Sequence, residues 1–351
     1  MITPNPILGT GIHAIGGISA SSNYLPFEKT KWSWGSFWIV QANFAWVIAP
    51  ILVAFLTVPD LVSVFKEAPL SAIFIPILLG AIYGFGGMSF GFAIRHIGFS
   101  MTYTLAIGIS SIVGFLIPLI LKGQVIELFS STGGGTLLIG IFLSLTGIFL
   151  CGAAGFRKER FLKSNDPSGQ SFNMGKGVAL TIFAGVLSGI FGVGMELAQP
   201  VSDIAASHGA GHYEGNARII LPSIGCYFTN MIWFIIAGIR NKTIKELNPR
   251  YASSKKVFAK NFLWSALGGS LWYTQFFFYG LGHVRMGNFM AASWVIHMSM
   301  LIFFSYIVGI LMKEWKNLKR SVILLLLLGL FVLFTSFVIM SMGTLQAEGG
   351  L

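Results

Sequence analysis

The sequence predicts an all-α integral membrane protein, with ten transmembrane helices arranged as two inverted five-helix repeats. Composition, a series of ten apolar windows and a one-sided distribution of positive charge carry this reading. Of 351 residues, 54% are hydrophobic and 10% charged, and the mean hydropathy is +0.77. An ordinary soluble domain has about 25% charged residues. Helices rather than open sheets follow because unpaired strand edges cannot face lipid.

A hydrocarbon core of about 30 Å needs roughly 20 mainly apolar helical residues per crossing. Such windows fall at 7–27, 35–58, 70–95, 98–121, 134–156, 175–199, 217–239, 257–284, 287–312 and 320–343. The first has no Lys or Arg before it, so it lacks the basic start of a signal peptide and is expected to be an uncleaved span. The sixth trails polar residues from Glu196 and meets Pro200. Gly80-x-x-x-Gly84 and Gly87-x-x-x-Gly91 on the third predict close helix packing. Cys151 and Cys226 lie within spans, where they act as small apolar residues.

The net charge of +11 is distributed as topology. When loops are grouped alternately, 19 of the 23 Lys and Arg residues fall on one side, and only Lys66, Lys122, Arg218 and Arg285 on the other. Positive loops stay cytoplasmic, which places both termini outside the cytoplasm. The partner this implies is a lipid bilayer. Nucleic acid is not expected, because the basic residues are spread over five short loops without an aromatic platform.

Five spans per half is an odd number, so related halves must be inverted in the membrane. A shift of 189 pairs Gly80 with Gly269, Tyr83 with Trp272 and Phe90 with Tyr279. A shift of 190 pairs Arg95 with Arg285. The expected organisation is 1–156 as the first repeat, 157–174 as a cytoplasmic linker and 175–351 as the second repeat. Inverted repeats are the common build of secondary transporters, with the substrate near the midplane.

Polar and aromatic groups inside spans mark such a site, because lipid penalises them unless they pair or line a cavity. The candidates for substrate binding are Trp38, Gln41, Asn43, Tyr83, Asn230, Trp272, Tyr273, Gln275 and Trp294, with Trp46 beside them. Amides and hydroxyls replace a sugar's hydration shell, and flat rings cover its C–H faces. Gln275, in the run LWYTQFFFYG (271–280), either lines a cavity or bonds a neighbouring helix. The ionisable groups within spans are His13, Glu196 and His297, with His283 near an end. A proton-coupled carrier needs a group that titrates in the working range, and a histidine with an ordinary pKa of about 6.5 suits it. His297 is the first choice for proton coupling and Glu196 the second.

No cofactor is expected beyond H⁺ as coupling ion. The stretch STGGGT (131–136) lacks the Lys of a phosphate-binding loop, and His208-x-x-x-His212 is better read as a solvated loop than as a metal site. An intramembrane enzyme would need a second catalytic group within hydrogen-bond reach, and no nucleophile or metal constellation is visible. An exporter of another metabolite on the same fold is the nearer alternative.

The segments KWSW (31–34), RHIGFSM (95–101), IGISSIVG (107–114), GGSLWYTQFFFYGLGHVR (268–285), SWVIHMS (293–299) and KEW (313–315) resemble the L-rhamnose–proton symporter family of the drug/metabolite transporter superfamily. The resemblance runs along nearly the whole chain. It implies a bacterial inner-membrane carrier that imports L-rhamnose, or a related deoxy sugar, with H⁺ by alternating access. Tyr24, Trp38, Trp46, Tyr83, Asn230, Trp272, Tyr273, Gln275, Trp294 and His297 stand where similar residues stand in the family. Two departures bear on coupling. The stretch RMGNFMAAS (285–293) carries no acid, and Glu196 stands where the family implies an amide.

Overall fold

The computed structural model describes residues 3–164, 173–290 and 292–349. Ten long helices, α1 to α10, follow one another: α1 Pro6–Ser22, α2 Trp34–Thr57, α3 Leu70–Ile97, α4 Phe99–Leu121, α5 Gly134–Ser164, α6 Met174–Leu197, α7 Gly215–Arg240, α8 Lys255–His283, α9 Ala292–Leu311 and α10 Arg320–Ala347. Eight of these are long and apolar enough to cross a membrane. The other two are α1, which has 17 residues, and α8, which starts with Lys255, Lys256 and Lys260. The outer surface is apolar, with Leu56, Phe74, Phe142, Phe149 and Phe331 all largely exposed, as lipid-facing side chains must be.

Local chemistry sets the helix ends. Asn5 caps α1 by accepting from the Leu8 N–H at 3.0 Å, with Pro6 in the first turn where its missing N–H costs nothing. Ser33 and Ser254 cap α2 and α8 in the same way. Inside α2 the turn Phe44–Ile48 is π-helical, just before Pro50, whose ring would clash with the Trp46 carbonyl in a regular helix. α6 ends at Leu197, and Pro200 opens a separate short helix, Gln199–Ser207. α3 and α4 are joined by Gly98 alone, at φ +81°, where a side chain would also strike Glu159.

α5 runs to Ser164, past the expected end of the span at 156. The charged residues there do not end the helix, because Lys158 finds Glu314 at 2.7 Å and lies 4.9 Å from the Trp315 ring. The rest of the expected linker, 165–172, lies outside the described residues.

Two ends of the bundle are distinct. At the basic end, Glu246 accepts from the Ser33 N–H at 2.7 Å, Asn261 accepts from the Lys31 N–H at 3.1 Å, and Lys158 pairs with Glu314. At the opposite end, Lys122 pairs with Glu196 at 2.5 Å, His208 meets Glu67 at 3.0 Å, and Glu348 accepts from the Asn288 N–H at 2.6 Å. Arg218, expected among the residues at the ends of spans, is the largest fully buried side chain, in the first turns of α7, with Gln199 as its hydrogen-bond acceptor.

Packing is reciprocal. α1 lies on α8 and α9, and α6 lies on α3 and α4; α2 packs on α7 and α8, α7 on α3, and α5 pairs with α10 along its length. Glycines make the closest crossings. A side chain at Gly80 would strike Pro222 of α7, and one at Gly225 would strike the Ile77 carbonyl of α3. Gly87 and Gly91 behave differently from expectation: both border the cavity, where a side chain at Gly87 would meet only Asn230 Oδ1 of α7, at 3.7 Å, and one at Gly91 would meet nothing within 4 Å.

Candidate functional site

A cavity of about 530 Å³ lies within the bundle, lined by residues of α1, α2, α3, α4, α6, α7, α8 and α9. The lining residues Trp34, Arg95 and Phe99, all at the basic end, are exposed, so the cavity opens there. Its walls are aromatic. Trp46 meets Trp272 edge-on at 5.4 Å, Trp272 packs on Phe276 at 4.9 Å, and Phe191 contacts both Phe276 at 5.2 Å and Tyr83 at 5.0 Å. Tyr24 stacks on Trp38.

The backbone phase of α2 and α8 explains this wall. Trp272, Gln275, Phe276 and Tyr279 follow the i, i+3, i+4, i+7 spacing of one helix face. On α2, the extra residue of the π turn restores the phase, so that Trp46 returns to the face of Trp38. The two indoles lie 5.9 Å apart.

Of the nine sequence-predicted binding residues, Trp38, Tyr83, Asn230, Trp272, Gln275 and Trp294 line the cavity. The other three do not. Gln41 faces the seam between α2 and α8, where Gly268 and Gly269 leave room for its helix. Asn43 is held by the Ile39 carbonyl at 2.8 Å and accepts from the Tyr227 hydroxyl at 3.1 Å. Tyr273 is buried one residue, about 100° of helix, away from the lining face of α8.

Polar groups within the wall are arranged for an uncharged ligand. Asn230 donates through Nδ2 to the Cys226 carbonyl at 3.0 Å. Trp38 Nε1, Trp46 Nε1 and Asn23 Oδ1 are buried without a hydrogen-bond partner, which in a closed core costs on the order of 1–3 kcal/mol each. These two donors and one acceptor belong to lining residues. Arg95 is the one charged lining residue, at the mouth beside Phe92. Asn23, Tyr103 and Phe191 also line the cavity without having been singled out by sequence; Asn23 sits at the end of the first predicted window, and Phe191 carries no distinguishing mark.

Trp294 forms the floor. Its ring lies over Gly114 and Gly192, where a side chain would strike it, and its Nε1 donates to the Ser110 carbonyl at 3.0 Å. Behind the floor stand Tyr279, 5.8 Å from Trp294, and His297, 5.3 Å from Tyr279. His297 is fully buried and does not line the cavity. Glu196 is ion-paired with Lys122 toward the end opposite the mouth, and its charge reaches Tyr279, the ring beside His297. Among the described residues no group of three or more metal-ligating side chains occurs.

Comparison with known proteins covers this whole architecture. The family model described as L-rhamnose-proton symport protein matches residues 3–346. The L-rhamnose-proton symporter of Cronobacter sakazakii is 33% identical over 336 residues, 94% of this chain and 96% of that one. Those of Salmonella gallinarum and Yersinia pestis are 33% and 32% identical, each over 96% of this chain and 97% or 98% of their own. Sequence along the full length and the helical carrier-like build around a central cavity agree, and the chain belongs to the L-rhamnose-proton symport protein family.

Proposed function

We propose that the protein imports L-rhamnose, or a related deoxy sugar, together with H⁺ by alternating access across a bacterial inner membrane. The observation that carries this reading is the cavity: aromatic faces, amides, and unpartnered donors and acceptor in a wall whose charged residue is Arg95 at the mouth, in a chain of this family. A deoxy sugar presents hydroxyls to Asn230, Gln275, Asn23 and the two indole N–H groups, and its methyl and C–H faces to Trp38, Trp46, Trp272 and Tyr83.

Ten spans in two inverted repeats suit this mechanism, and the packing supports them. Exchanging each of α1–α5 with its counterpart in α6–α10 turns the contacts of α1 with α8 and α9 into those of α6 with α3 and α4. The first repeat takes 1–156 and the second 175–351, with the helical extension of α5 reaching into the linker. With the basic end cytoplasmic and both termini outside, the cavity faces inward and the outer end is closed by the Lys122–Glu196 pair and buried Arg218.

Proton binding must favour one loaded state, since a proton bound equally in both conformations drives nothing. Its position directly behind the floor supports His297 as first choice for that role, with Glu196, in the outer closure, as second. The membrane potential contributes about 2.3 kcal/mol per charge per 100 mV. Uptake of radiolabelled L-rhamnose into proteoliposomes tests the reading. Accumulation above equilibrium only with an inward H⁺ gradient is expected; efflux against a sugar gradient, or no movement by folded protein, would favour the exporter.

A further inference from the structure

Behind the cavity floor three histidines from three helices meet around one tyrosine. His13 of α1 lies 5.7 Å from His297 of α9 and 5.5 Å from Tyr279 of α8, and His283, one turn further along α8, lies 5.5 Å from Tyr279. All three imidazoles are at most 1% exposed; neither ring nitrogen of His13 or of His297 has a hydrogen-bond partner, and His283 has only the Met290 backbone. A neutral imidazole carries one donor and one acceptor. Three such rings at one spot are an unusual core filling, since buried polar atoms are almost always paired.

The backbone is shaped around them. A side chain at Gly16 would meet His297 Cε1 at 3.0 Å, and one at Gly282 would meet His13 Nε2 at 2.9 Å. We propose that His13 and His297 form one shared proton site, reached from the outer end through His283. This rests on the symport reading and extends it by naming His13 as the partner of His297 and His283 as the way in.

The charged and titratable groups facing the cluster fix how many protons it takes. Tyr279 and His283 come from α8, Arg218 from α7, and Glu196 with its partner Lys122 from α6 and α4. From α10 the contact with α1 is the Thr10–Ser341 hydroxyl pair, which does not titrate at working pH. Among the described residues neither His13 nor His297 is paired with a carboxylate. One proton held between two acceptor nitrogens is stabilised by both rings, directly after a small rotation or through one bridging water. A second would put like charges side by side, with Arg218 already near. The site therefore carries one H⁺ per cycle.

The conformation with its cavity open at the basic end keeps the cluster sealed, and a buried charge without a counter-ion is costly there. As the outer end closes, the pair therefore gives up its extra proton past the Trp294 floor into the cavity, and so to the basic side. Opening the outer end wets His283 first, and the proton passes to the pair as the sugar enters. No bond other than N–H forms or breaks.

The test uses the full chain in proteoliposomes loaded with a pH-sensitive dye, with wild type, His13→Gln, His297→Gln, His283→Gln and the surface variant His208→Gln. L-Rhamnose counterflow and gradient-driven accumulation are read on each. Expected are counterflow that persists in His13→Gln and His297→Gln with accumulation and rhamnose-dependent acidification lowered about tenfold or more, the double variant no worse than either single, and His208→Gln like wild type. Slower proton entry at unchanged stoichiometry is expected of His283→Gln. Full accumulation in His13→Gln overturns the shared site and leaves the symport reading standing; wild type that moves no rhamnose overturns both. If His13→Gln fails to fold, nitrogen-15 histidine spectra of wild type in nanodiscs decide: His13 and His297 titrating together support the pair, and independent titration overturns it.

Discussion

The cavity and the histidine cluster are built from the same helices and differ in almost every physical respect. α8 supplies Trp272, Gln275 and Phe276 to one and, a turn or two later, Tyr279 and His283 to the other. The cavity opens at the basic end and leaves donors and an acceptor free for a neutral ligand; the cluster is sealed, three imidazoles around the Tyr279 ring, with Arg218 and the Lys122–Glu196 pair beyond them. Trp294 is the shared wall, its ring set over two glycines. On the proposed reading, the difference teaches that sugar and proton do not need a common site. They need one layer between them that both can move.

The largest expected effect comes from removing that layer. Trp294→Ala leaves a void where a 3%-exposed indole sat, at a cost of about 3–5 kcal/mol in stability, and joins the two regions. A lowered unfolding midpoint and proton leakage without sugar are expected, the first read by thermal denaturation in detergent and the second by dye-loaded vesicles. A tight, stable variant would break the comparison.

A smaller effect separates the regions. Asn230→Leu removes a lining amide and leaves the cluster untouched; L-rhamnose binding by calorimetry should weaken by about 1 kcal/mol, roughly fivefold in Kd, while its dependence on pH keeps its shape. A changed pH profile would mean that the cavity amides and the histidines act as one site.

The smallest effect is at the outer end. Glu196, with an 11%-exposed side chain, pairs with Lys122, whose side chain is 43% exposed; water at the lysine keeps the pair's contribution to about 1 kcal/mol. Glu196→Gln is expected to keep gradient-driven accumulation close to wild type. Loss of coupling in that variant, with counterflow intact, would move the proton site away from the histidines.

Hydropathy made the helices legible: eight of the ten expected windows fall on helices long and apolar enough to cross a membrane, and α1 and α8 occupy the other two. Where it failed, the charge of Arg157 to Lys163 concealed a helix that the Lys158–Glu314 pair sustains. Side-chain facing was less legible. The π turn of α2 brings Trp46 back beside Trp38, and no sequence period announces it; Gln41 and Asn43 are polar residues of the same span, yet one meets a glycine seam and the other a tyrosine hydroxyl. Tyr273 and Gln275 differ only by their angle around α8. His13, His283 and His297 were each visible as ionisable residues in or beside spans, but their meeting depends on α1 lying across α8 and α9.

The central claim is that a sugar taken up by the cavity brings a proton through a separate, sealed cluster. Wild-type protein in vesicles with a dye inside, given L-rhamnose outside and no imposed gradient, tests it most directly. Acidification of the lumen in step with sugar entry, about one proton per sugar by the like-charge argument, is the predicted result. Sugar entry at the same rate with no change in internal pH would contradict it.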